Sequence, residues 1–325
     1  MASLRLPSRR IVVGLVVLGA LALVALNAAA YLHARAMTHF VAAGTRTARP
    51  EDLSWLGVAR VLAGGVSVPR PRNRRTPADV GLAFETMTLP SGHGPTLEAW
   101  YVPAADASRP LVIGLPGYAA AKSALLPAAQ ALHAMGCGVL LLDFHGAGGS
   151  SGSGTALGVI EARDVAAAVA YARRRWPSRP LVLYGFSMGG AAALRAVAVE
   201  GVRPDALIVE ATFDRLLDTT RRRFHSMGLP ATPFAELLLF WGGVQWDFDP
   251  FTHNPADYAR AVRVPLLVLQ GTADRRVSAD QARRLAAAAG AHATLALYSE
   301  VPHRLIVRAE PDAWRRDVQA LLDRL

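Results

Sequence analysis

What most restricts the fold of this chain is a set of short apolar runs with almost no polar interruption. They are LVIGLP (111–116), GVLLLD (138–143), LVLYG (181–185), ALIVEA (206–211), PLLVLQG (265–271) and TLALYS (294–299). A strand with one face in water alternates apolar and polar residues, so runs like these predict strands covered on both faces, the usual state of a parallel sheet. Alanine-rich helical stretches lie between several of them, as parallel crossovers require. Upstream, LAFETMTL and LEAWYV flank the turn signal PSGHGPT and do alternate, which predicts an antiparallel ribbon. The expected class is therefore α/β, a mostly parallel central sheet with helices on both faces, over residues 81–325. The alternation breaks once, at about 212–262. That segment is too long for an ordinary connection and carries aromatic and apolar residues, so it predicts a small cap insertion.

The amino terminus is a separate problem. Residues 11–30, IVVGLVVLGALALVALNAAA, hold one strongly polar side chain, Asn27, and follow a basic tail (1–10) with Arg5, Arg9 and Arg10. Twenty helical residues span roughly 30 Å, the thickness of a bilayer's hydrocarbon core. A cleaved signal peptide has a shorter apolar region ending in small residues, a role Ala28-Ala29-Ala30 fits. The length favours an uncleaved signal anchor, with secretion after cleavage as the alternative. Arginine on both flanks gives a slight bias towards the amino terminus inside and the globular part on the outer face. Residues 31–80 read as a juxtamembrane arm with a helical portion (ARPEDLSWLGVARVLAG) and a Pro/Arg linker.

Composition closes off other classes. The chain has 325 residues, is 52% hydrophobic and 18% charged, and is not disordered in character. Cys137 is the only cysteine, so neither an intramolecular disulfide nor a cysteine metal cage is expected. The formal charge of +10 comes almost wholly from arginine, with Lys122 the only lysine. The arginines are scattered apart from runs such as PRPRNRR (69–75) and RRRFH (221–225), without zinc-finger spacing or aromatic interleaving, so nucleic acid is not an expected partner. A juxtamembrane electrostatic role for 69–75 is a secondary possibility. The loop DFHGAGGSSG (143–152) matches no phosphate-cradling glycine pattern.

The chemistry concentrates in GFSMG, residues 185–189, between an apolar strand and an alanine-rich helix. A tight strand-to-helix turn of this kind lifts the serine hydroxyl above the sheet edge and requires small residues on either side. Ser187 is the candidate nucleophile. A serine needs a base, and a base needs an orienting carboxylate. His303 follows the last strand in YSEVPHRLIV, and Asp274 follows the preceding strand in LLVLQGTADRRV; Asp214 is the runner-up carboxylate. The other histidines have poorer contexts: His33 and His39 lie beside the anchor, His93 lies in the ribbon turn, and His225 and His253 are weak candidates for substrate contact.

The order Ser187, Asp274, His303, with LVIGLPGYAAAKS, LLLDFHGAGGSSG, LVLYGFSMGGAAAL, VPLLVLQGTADRRV and EVPHRLI in sequence, resembles the α/β-hydrolase-fold serine hydrolases, within the esterase and serine-aminopeptidase-like group. The resemblance implies an acyl-enzyme on Ser187 and an oxyanion hole from the backbone N–H groups of Met188 and Tyr118, with Pro116 standing where the family commonly has histidine. It implies neither cofactor nor metal. Asp143 and His145 are left out of the catalytic set. Phe224, Met227, Phe234, Leu237, Leu238, Phe240 and Trp241 in the insertion are candidates for an acyl pocket. The expected substrate is therefore a small, lipophilic acyl ester or thioester, with membrane lipid held by the N-terminal helix. A peptidase, an acyltransferase of the same fold, and a non-catalytic tethered binding protein are the alternatives.

Overall fold

The computed structural model describes residues 8–91, 96–106 and 108–325; His93 lies outside them. The first described element is one long helix, α1 (Arg9–Thr38); residues 39–54, with a 3-10 turn at Pro50–Asp52, lead to α2 (Trp55–Gly64). Next come β1 (Glu85–Pro90), β2 (Thr96–Val102), β3 (Leu111–Leu115), α3 (Leu126–Ala134) and β4 (Gly138–Leu142). The chain continues through α4 (Val159–Arg175), β5 (Leu181–Phe186), α5 (Met188–Ala198) and β6 (Ala206–Glu210). Three helices follow, α6 (Leu216–Ser226), α7 (Phe234–Trp246) and α8 (Pro255–Ala259), then β7 (Leu266–Gly271), α9 (Ala279–Ala289), β8 (Ala293–Tyr298) and α10 (Pro311–Leu322).

Among the described residues the strands form one eight-stranded sheet in the order β1-β2-β4-β3-β5-β6-β7-β8. The β1–β2 and β2–β4 pairs are antiparallel and all others parallel. The alternation read from 82–89 and 97–102 and the nearly unbroken runs downstream thus mark the antiparallel and parallel parts of one sheet. In β3 every residue is buried, and side chains leave in alternate directions. Leu111, Ile113 and Leu115 join the core beneath α4, α5, α8 and α9, whereas Val112 joins the core beneath α3 and α10. Burying one such leucine or valine stabilises the fold by about 1.5–3 kcal/mol, which is why these runs are apolar except toward their carboxyl ends.

Register places the site. Leu115 pairs with Gly185, Phe186 with Glu210, Glu210 with Leu269, and Gly271 with Tyr298. The carboxyl ends of β3, β5, β6, β7 and β8 therefore lie along one rim, where open α/β sheets bind ligands. Over this rim sit α6 and α7 of the insertion. By contrast α8, also within 212–262, packs Tyr258 and Ala259 into the main core and belongs to the sheet's cover.

Helix α1 runs on to Thr38, eight residues past the expected end of the anchor at residue 30. Its first part, from Arg9 to Ala25, is exposed throughout, and the following turns pack on α7. Asn27 is held within the protein: its Oδ1 accepts from Trp241 Nε1 at 3.1 Å, and its Nδ2 donates to Leu23 O. Gln245 Nε2 donates to the Tyr31 carbonyl at 3.0 Å, Tyr31 meets Trp241 edge-on, and Ala34 and Thr38 are buried. The arm is likewise docked. Arg70 donates to the carbonyls of Ser150 and Gly152, so this member of the PRPRNRR run is turned into the domain.

Candidate active site

Ser187 sits at the hinge between β5 and α5 with φ 53° and ψ −114°, a conformation that costs a non-glycine residue on the order of 1–3 kcal/mol. Its amide donates to Glu210 O at 2.7 Å, and its carbonyl accepts from Gly190 and Ala191, so neighbouring elements hold the strained residue in place. The glycines on both sides are required by proximity. A Cβ on Gly185 would lie 2.4 Å from Gly190 N, and one on Gly189 would lie 2.2 Å from Leu115 O. This is the physical content of GFSMG: the helix start is pressed against two strands at once.

Asp274 lies in the turn after β7 and is buried. Its Oδ1 accepts the amides of Arg276 (2.7 Å) and Val277 (2.9 Å), and its Oδ2 meets His303 Nδ1 at 2.6 Å. A carboxylate so held makes Nδ1 the protonated nitrogen and leaves Nε2 as the basic one. The His303 ring packs tilted against Phe186, 5.2 Å between centroids. Ser187 and His303 line one cavity of about 180 Å³ together with Gly117, Tyr118, Phe186 and Met188. Among the described residues the Ser187 hydroxyl makes no hydrogen bond. The two side chains line a common space, and no hydrogen bond joins them.

Among the described residues the N–H groups of Met188 and Tyr118 donate to no protein acceptor. Both residues line the same cavity as Ser187. Pro116 precedes them without distorting β3, which ends at Leu115. Tyr118 has a further task, since its hydroxyl donates to Met37 O of α1 at 2.6 Å.

The remaining titratable groups named from the sequence lie elsewhere. Asp214 is buried and bound by Gln281 Nε2 (2.8 Å) and Arg284 Nε (2.6 Å), so it braces α9. His253 is buried between Leu157 O and the Tyr258 hydroxyl, each 3.1 Å away, and burial pulls its pKa down to about 4. His225 is exposed at the end of α6. Asp143 is wholly buried against Lys122, away from the cavity.

One functional neighbour escaped the sequence reading. Glu210 ends β6 in a fully buried position. Its Oε1 accepts from Ile306 N at 2.6 Å, and its Oε2 meets the Tyr184 hydroxyl (2.8 Å) and Trp314 Nε1 (3.1 Å). It thereby ties the segment that follows His303 to the strand beside the elbow. The only signal was an acid closing an otherwise apolar strand in ALIVEA. Burial raises its pKa to about 7. The folded-state value exceeds the unfolded one, so the contribution to stability is complete below about pH 4.5 and is lost as pH rises through about 7. Asp164, raised to about 8 by burial, adds a slope of the same sign. His253, lowered to about 4, contributes the opposite slope up to about pH 6.5, so the readout is the difference between variants: in melts between pH 4.5 and 7, Glu210→Gln should make Tm fall less, or rise more, with pH than the parent. An unchanged slope in the variant would assign the effect to other groups.

The sheet order and its crossovers give the chain an α/β-hydrolase fold. Residues 106–257 match the family model described as serine aminopeptidase, S33. A Mycobacterium tuberculosis protein, MT2364, is 29% identical over 253 residues, covering 71% of this chain and 80% of its own length. The alpha/beta hydrolase domain-containing protein WAV2 of Arabidopsis thaliana is 25% identical over 233 residues, with 70% and 73% covered. Among solved structures, the Pyrococcus furiosus esterase Pf2001 superposes with a TM-score of 0.66 at 25% identity, over 79% of this chain and 96% of that one.

Proposed function

We propose that the protein is a membrane-anchored serine hydrolase that cleaves an acyl ester through an acyl-enzyme on Ser187. The observation that carries this is the Asp274–His303 hydrogen bond at 2.6 Å on the cavity wall that Ser187 shares. Ser187 Oγ attacks the substrate carbonyl as His303 Nε2 takes its proton, and Asp274 stabilises the imidazolium. The Met188 and Tyr118 amides hold the developing oxyanion. The protonated imidazole then gives its proton to the leaving oxygen, and a water deprotonated by the same nitrogen releases the acid.

Ester is favoured over an amino-terminal peptide by the charge of the walls. An aminopeptidase must pair the substrate's ammonium, yet among the described residues the cavity lining carries Arg49, Arg223 and Arg276 and neither aspartate nor glutamate. Anchoring is favoured over cleavage by what lies around Ala28–Ala30. A cut there would discard Asn27, which Trp241 binds. The test is direct. A fluorophosphonate probe should label the purified full-length chain on the peptide containing Ser187, and Ser187→Ala should abolish labelling. Label retained by the variant would remove Ser187 from the role.

A further inference from the structure

A second cavity, of about 260 Å³, adjoins the catalytic one and is almost entirely apolar. Its walls come from α1, from α2, from the cap and from the segments flanking α2, which add Arg46, Pro50, Leu53 and Val68. Leu26, Ala29 and Ala30 belong to α1, Val58, Val61 and Leu62 to α2, and Phe224, Phe234 and Leu237 to the cap. Met37, Arg49, Tyr118, Thr220, Arg223 and Leu238 line both cavities, so the two share one partition. In that partition the Arg223 guanidinium lies over the Tyr118 ring, 5.6 Å from its centroid.

The position of this cavity relative to a bilayer follows from helix length. The uncovered part of α1, Arg9 to Ala25, measures roughly 25 Å, slightly less than the roughly 30 Å of a hydrocarbon core. The docked turns from Leu26 onward, and the domain surface around them, must then lie at the bilayer interface. That surface is apolar where it needs to be. Trp55 (78% exposed), Leu56 and Leu62 project from α2, and Phe240 and Val244 project from α7. His33 Nε2 lies 2.9 Å from Val61 O and holds α2 against α1, so these side chains surround the point where the helix leaves the domain. An exposed tryptophan with neighbouring aliphatic residues is what interfacial contact selects.

We infer that the second cavity houses the acyl chain of an ester drawn sideways from the bilayer, with the anchoring helix itself forming one wall of the binding site. This rests on the serine-hydrolase reading and adds the substrate class: a long-chain lipid ester. The carbonyl lies at Ser187, and the chain passes the Tyr118–Arg223 partition between α1, α2 and the cap. From Leu26 to Met37 the lined length of α1 is roughly 16 Å, room for an extended long acyl chain and far more than an acetyl or butyryl group needs. Two cavities with a shared wall, the second lined mainly by apolar residues and bounded by the anchoring helix, are explained together by such a substrate. A water-soluble ester would leave the larger cavity without a use.

The experiment uses the full-length chain in phosphatidylcholine nanodiscs. An ethyl fluorophosphonate, too small to reach the second cavity, reports the state of Ser187 by itself. Hydrolysis of p-nitrophenyl butyrate and p-nitrophenyl palmitate is then compared. The palmitate-to-butyrate ratio of kcat/KM is expected to exceed one by about tenfold or more, and Ala30→Trp, which fills the cavity from α1, should reduce it by a similar factor. Leu237→Gln, which alters the opposite wall without added bulk, serves if Ala30→Trp does not fold, and is expected to act in the same direction. A ratio near one, or a ratio unmoved by either variant while the ethyl probe still labels Ser187, overturns the acyl-chain site and leaves the hydrolase reading standing. Failure of the ethyl probe to label the wild-type chain removes both.

Discussion

Replacing His303 by alanine is expected to lower kcat/KM for p-nitrophenyl butyrate by roughly four to six orders of magnitude, the loss seen when a serine hydrolase is left without its base. Replacing Asp274 by asparagine should cost about 10⁴-fold while leaving the fold intact. The geometry explains the second figure. Asp274 Oδ1 takes two backbone amides, so an asparagine would keep its carbonyl oxygen there. Its NH₂ would then stand where Oδ2 stands, 2.6 Å from His303 Nδ1. A donor in that place forces the ring proton onto Nε2, the nitrogen that must receive the serine's proton. The double variant should be no slower than His303→Ala alone, because the carboxylate acts only through the ring. Steady-state kinetics on the three variants, with thermal melts to show that each is folded, would measure this. A loss below tenfold in Asp274→Asn would mean that the carboxylate does not set the tautomer.

Much of this arrangement was legible in the residues, and the reason is local. A strand buried on both faces is apolar along most of its length, so the parallel strands announced themselves, and GFSMG, Asp274 and His303 follow strands whose carboxyl ends lie on one rim. The packing of Gly185 and Gly189 against Gly190 and Leu115 was foreshadowed by their lack of side chains. What escaped notice depends on distant contacts. Glu210 looks like an ordinary strand end until Tyr184, Ile306 and Trp314 are brought around it. Hydropathy places an anchor at 11–30 but cannot show that residues 26–38 dock on α7, because Ala34 and Met37 are equally at home in lipid and against protein. The insertion's aromatic residues likewise divide by neighbours the sequence does not display. Phe224, Met227, Phe234, Leu237 and Leu238 line the second cavity, whereas Trp241 packs on Tyr31 and Phe240 faces outward.

Lys122→Met should be the most destabilising single polar substitution in the domain. The chain's only lysine is fully buried, its Nζ 2.6 Å from Glu98 Oε1, 2.5 Å from Asp143 Oδ2 and 4.2 Å from the centroid of the Trp100 ring. Asp143 is equally buried and also binds Asn73 Nδ2, Gly149 N and Lys122 N, so the linker, the loop after β4 and the loop after β3 all meet on one carboxylate. Removing the cation leaves that carboxylate with its dipolar donors and without a counter-charge, a loss of about 3–5 kcal/mol. At roughly 2–4 °C per kcal/mol for a domain of this size, Tm should fall by about 10 °C. Glu98→Gln should cost far less, since that side chain is 31% exposed and the lysine keeps Asp143. The same burial gives an independent readout. An amine-reactive acylating reagent should leave Lys122 unmodified in the native protein and modify it along the unfolding curve, followed by peptide mass spectrometry. Rapid modification under native conditions, or a Lys122→Met melt within about 2 °C of the parent, would show that the ion cluster does not hold these three loops together.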